Sequence, residues 1–127
     1  MEGRKYDLEE RLLDYSATII RLVDGLPRTR AGNHVGGELL RSGTSPLPNH
    51  GEAQAAESRA DFIHKMRICL KELRESHRWI KLIMRVPLIK AVEQVTPVLQ
   101  ETAELISIFV ASIRTAQKRG PAGSADR

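Results

Sequence analysis

Apolar residues recur at spacings of three and four in each long stretch between the prolines, and nowhere do they alternate as a half-buried strand would require. Leu8, Leu12, Tyr15, Ile19, Leu22, Val23 and Leu26 lie on one face of a helix predicted over Leu8 to Leu26, with Asp7 as N-cap, Glu9 and Glu10 in the first turn, and Pro27 as its end. Thr29 to Ser42 reads as a weaker second helix. Its apolar edge is Ala31, Val35, Leu39 and Leu40, and Gly32, Gly36 and Gly37 each cost about 1 kcal/mol of helix propensity. Close approach of a neighbouring helix would explain these glycines, with flexibility as the alternative. After a break over Ser42 to Pro48, Ser45 and Pro46 resemble an N-cap and first helical position, so a short turn can restart there.

The third predicted helix is the clearest. It starts near Ser58, which with Asp61 approximates a capping box, and runs to Val86 before Pro87. Phe62, Met66, Cys69, Leu73, Ile80 and Ile83 form its core stripe. A fourth helix is expected from about Pro97 to Arg119, with Val98, Leu105, Phe109 and Ile113 on its apolar face and Ile108 isolated on the polar side. Short connections between four helices predict an all-α, antiparallel up-and-down four-helix bundle over residues 1–119, followed by a small, polar, disordered tail over residues 120–127. Leu13 and Ile20 widen the first helix's apolar arc to about 180°, more than one core needs, and a subunit interface in a homo-oligomer would take up the excess.

Composition narrows the function classes. At 127 residues the chain is one domain long, and its aromatic share of 4% leaves a core of Leu, Ile, Val and Ala. Cys69 is the sole cysteine, so a disulfide scaffold is excluded. The start of the chain is polar and no stretch is apolar enough to span a membrane, so a cytoplasmic location is expected.

The net charge of +4 matters through its placement. Arg67, Lys71, Arg74, Arg78, Lys81 and Arg85 follow one another at spacings of four and three along one side of the third helix, a ridge about 27 Å long. Such a ridge suits phosphates, whose neutralisation supplies most non-specific affinity for RNA or DNA. A solvated outer face balanced by Glu72 and Glu75, or a surface for an acidic protein partner, remain alternatives.

A second set, Arg41, Asn49, Glu52, Glu57 and Arg59, forms a polar cluster around the break that either fixes the connection or recruits a partner. Glu57, Asp61 and His64 share a helix face, yet the duplicated Glu-x-x-His set of bundle metal sites is missing, and Cys69 sits among core residues as a small hydrophobe. No phosphate loop or catalytic triad is recognisable. A non-catalytic protein without metal or cofactor is expected.

The segments Arg28-Thr29-Arg30-Ala31-Gly32, Leu39-Leu40-Arg41-Ser42-Gly43-Thr44-Ser45, Asn49-His50-Gly51-Glu52-Ala53 and Ala56-Glu57-Ser58-Arg59-Ala60-Asp61-Phe62-Ile63-His64-Lys65 carry a family resemblance, as do Leu70-Lys71-Glu72-Leu73-Arg74-Glu75-Ser76 and Trp79. Over residues 6 to 118 the chain resembles the bacterial four-helix-bundle proteins called 23S rRNA intervening-sequence proteins. That resemblance implies a ring-like homopentamer and no catalytic residues. A similar fold serves as the accessory protein of diversity-generating retroelements, which implies contact with nucleic acid and a protein partner.

Overall fold

A computed structural model describes residues 7–119, and the predicted tail over 120–127 lies outside the described residues. Helix α1 spans Leu8–Asp24, α2 Arg30–Thr44, α3 Pro46–Gln54, α4 Arg59–Arg85 and α5 Thr96–Lys118, with a 3-10 turn at Val92–Gln94. The caps lie where the sequence places them. Asp7 accepts from the Glu9 amide, Thr29 from Gly32 and Ser58 from Asp61, each satisfying an N–H that the first turn leaves unpaired. Helix α1 ends two residues before the expected Leu26, because the Gly25 N–H closes onto the Arg21 and Leu22 carbonyls and Leu26 then turns inward, 7% exposed.

The expected break at Ser42 to Pro48 is a bend. Ser45 keeps helical dihedrals, and backbone bonds run through it from Ser45 N–H to Arg41 and from Asn49 N–H to Ser45. Ser45 does not cap α3; its hydroxyl accepts from the Asn49 side-chain amide at 2.9 Å. Pro46 and Pro48 lack the N–H groups that would continue the ladder, so α2 and α3 form one bent arm and the chain folds as a four-membered helical bundle.

Helix α4 packs against α2, α3 and α5, while α1 rests on α2, α3 and α5. Leu12, Tyr15, Ile19, Leu39, Met66, Cys69, Leu73, Ile80, Ile83, Leu105 and Phe109 close the core between them. Ile108, expected on the polar side of α5, is half-buried against that core, because the α5 surface is covered through a wider arc than its apolar stripe suggests. Two buried hydroxyl pairs cross the core. The Thr102 hydroxyl donates to the Val98 carbonyl and accepts from Tyr15 at 2.7 Å; Ser76 donates to Glu72 and accepts from Ser42 at 2.8 Å. Burial pushes the Tyr15 hydroxyl up to about 12 and the Cys69 thiol up to about 12, so neither ionises near neutrality. No described helix is long and apolar enough to cross a membrane.

His50 in α3 is 4% exposed and meets Phe109 edge-on at 6.2 Å. Gln54 Nε2 lies 3.3 Å from His50 Nε2, and no described residue pairs with His50 Nδ1. Burial lowers the His50 pKa, against the smaller opposite pull of Glu9 and Asp7. A histidine held neutral by the fold stabilises fully above its unfolded pKa, and that contribution shrinks as pH falls from about 6.5 toward the folded value. The urea midpoint should therefore be lower at about pH 5 than at about pH 7.5, and His50→Gln should flatten the difference. An unchanged pH dependence in that variant would place the acid sensitivity elsewhere.

Candidate nucleic-acid interface

Arg67, Lys71, Arg74, Arg78, Lys81 and Arg85 are all exposed on α4, opposite the side that buries Met66, Leu73, Ile80 and Ile83. Among the described residues none of the six forms an ion pair, and Arg78 reaches back only to the Arg74 carbonyl, at 3.4 Å. Glu72 and Glu75, which the solvated-face alternative would set against the ridge, are engaged on its other flank by α2. Arg41 donates from Nη1 to Glu72 at 2.9 Å and from Nη2 to Glu75, while the Trp79 indole N–H also donates to Glu75, at 3.1 Å. The Trp79 bond, then Arg41 and more weakly Lys71, hold the Glu75 carboxyl below its usual range. His77, beside the ridge, has its pKa lowered by burial and then by Lys81 and Arg78, a local sign of the ridge's positive potential.

The polar set around the bend is divided among several contacts. Arg41 also faces Glu38 at 3.5 Å, Asn49 bonds to Ser45, and Glu52 pairs with Lys65 at 2.6 Å. Glu57 is exposed and Arg59 half-buried at the start of α4. Among the described residues no group of three or more His, Cys, Asp or Glu side chains gathers as metal ligands would.

Arg67, Lys71 and Arg74 also edge a groove of about 430 Å³ between α4 and α5, with Leu70, Val110 and Ile113 as its apolar wall. Arg114 adds a cation from the α5 side. Periodicity within one helix could not reveal Arg114, since only the pairing of α4 with α5 brings it to the ridge.

No protein-family model matches the chain, and no curated protein matches it. Among solved structures it is similar to a protein of unknown function from the S23 ribosomal protein family of Bacteroides thetaiotaomicron, with 32% sequence identity and a TM-score of 0.77. The likeness covers 84% of this chain and 95% of that one. At that identity, over nearly the whole of its relative, the chain belongs to the S23 ribosomal protein family.

Proposed function

We propose that this protein is a non-catalytic, oligomeric bundle that binds the sugar-phosphate backbone of RNA or DNA through the α4 ridge in the bacterial cytoplasm. The observation that carries this reading is six exposed cations in register over about 27 Å, unpaired among the described residues although acidic side chains stand on the same helix. Arg41 draws Glu72 and Glu75 to the α2 flank, which leaves the ridge uniformly positive.

The test is binding of labelled structured RNA, duplex DNA and single strands across a salt series, with an Arg74→Glu, Arg78→Glu, Lys81→Glu variant beside the wild type. Engagement of most of the ridge gives a log-log salt slope of about −4 to −5, and the reversal should weaken binding by at least about a hundredfold while the variant stays folded. Absence of salt-sensitive binding at about 50 mM salt would overturn the reading.

The helices are proposed to run up and down, antiparallel: Arg11 meets Glu101 and Glu104 while Thr18 and Leu22, further along α1, lie beside Pro97 and Val98, and Arg41 meets Glu72 and Glu75 while His34 meets Trp79. A ring-like homo-oligomer, a pentamer by family resemblance, is supported by Leu13 and Ile20, 48% and 45% exposed one above the other on α1. The solution mass should be one fixed multiple of 14.2 kDa whatever the concentration, and Leu13→Glu with Ile20→Glu should reduce it. A wild-type monomer would overturn the oligomer. The same exposed pair favours the second reading, a scaffold or accessory subunit for another protein, which predicts assembly without any nucleic-acid binding.

A further inference from the structure

We infer that the groove between α4 and α5 seats an unpaired base of a single-stranded nucleic acid whose phosphates run along the ridge. This rests on the ridge reading and narrows it from nucleic acid in general to a single strand. The groove joins two surfaces that a duplex would not use together. Arg67, Lys71 and Arg74 on one edge and Arg114 on the other supply positive charge, while Leu70, Val110 and Ile113 present an apolar wall between them. The edge of a duplex offers phosphates outward and keeps its bases stacked inside, so the apolar wall would face only water. An unpaired nucleotide offers both an anion and an uncharged flat ring. Gln117 stands at the α5 side of the groove with an amide that can donate and accept, as the edge of a base requires.

Size and extent favour a strand over an acidic helix of a partner protein. About 430 Å³ lies within the range of small-molecule sites, whereas a docked helix needs a trough for anchors spaced over several turns. The cations also continue past the groove through Arg78, Lys81 and Arg85, about 16 Å beyond Arg74 at 1.5 Å per residue. A phosphate backbone supplies a charge at every residue to meet them; a peptide would need acids placed at each turn. No aromatic side chain lines the groove, so the base is held by apolar contact and its edge, not by ring stacking.

The experiment compares a labelled single strand, the same strand with its bases removed, and a duplex of equal phosphate number, on the full chain at one salt concentration. The intact strand should bind at least about tenfold tighter than the abasic one, as removal of about 60 Å² of apolar surface from water would give. Val110→Ser and Gln117→Ala should narrow that gap while leaving abasic binding unchanged, since neither alters charge. Equal, salt-sensitive binding of intact and abasic strands would overturn the groove and leave the ridge standing, as would a duplex that binds as tightly as the single strand. Failure of all three ligands to bind would overturn the ridge itself, and the groove with it. Displacement of the bound strand by an acidic amphipathic peptide of higher affinity would assign the groove to a protein partner instead.

Discussion

Phe109→Ala is expected to lower the stability of the bundle by about 3–5 kcal/mol, which for a chain of this size is a fall in Tm of about 10–20 °C. Phe109 is fully buried near the middle of α5, one turn from Leu105 and one turn from Ile113, and it closes the space against His50 of α3. The loss combines the transfer energy of the ring with the cavity left behind, because helices fixed by the Tyr15–Thr102 and Ser42–Ser76 hydroxyl pairs cannot close fully over the gap. Phe109→Leu keeps most of the volume and should lose less. A second readout follows from His50. Its pKa is lowered chiefly by burial, so the cavity, by admitting water beside a ring whose Nδ1 lacks a described partner, should move its titration back toward 6.5. A stability loss below about 1 kcal/mol would mean that the α3 and α5 surfaces are not packed as described.

Local chemistry explains what the sequence made readable and what it did not. Thr29, Ser58, Pro87 and Pro97 act on the backbone within a turn of themselves, so the starts of α2, α4 and α5 and the end of α4 follow from residue type alone. The six cations of α4 are likewise readable, since 3.6 residues per turn puts them on one face whatever the partners. Ser45-Pro46 was ambiguous because the same pair suits either a restarted helix or a bend, and the choice falls to backbone bonds running through Ser45 from Arg41 to Asn49. Arg41, of the polar set around the bend, has partners that the sequence does not show. Glu72 and Glu75 share a helix with the ridge, yet their partner Arg41 lies more than 30 residues earlier, and no local rule pairs them. Arg114 and the apolar wall of the groove needed the α4–α5 packing for the same reason.

Gly32→Ala should be the second large loss, about 2–3 kcal/mol, although alanine is the better helix former. A Cβ at Gly32 would lie 2.0 Å from the Pro27 carbonyl oxygen and 3.2 Å from Thr29 Oγ1. Neither can retreat easily: the Pro27 carbonyl belongs to the tight connection between α1 and α2, and Thr29 Oγ1 is held by the Gly32 N–H at 3.0 Å as the cap of α2. The substitution therefore strains the turn and the cap together. Gly36 is less demanding, since an added Cβ would stand 3.3 Å from Val23 and 3.4 Å from Leu26, side chains with some freedom to shift. At Gly37 nothing lies within 4 Å, so Gly37→Ala should gain about 0.5–1 kcal/mol by restricting the unfolded chain. Three glycines that look equivalent in sequence thus separate into a tight contact, a close packing and an open surface position. Urea unfolding of the three alanine variants reads the order directly: Gly37 above wild type, Gly36 near it, Gly32 well below. If Gly32→Ala were as stable as Gly37→Ala, the α1–α2 connection would have to adopt a different path from the one that brings Pro27 over the first turn of α2.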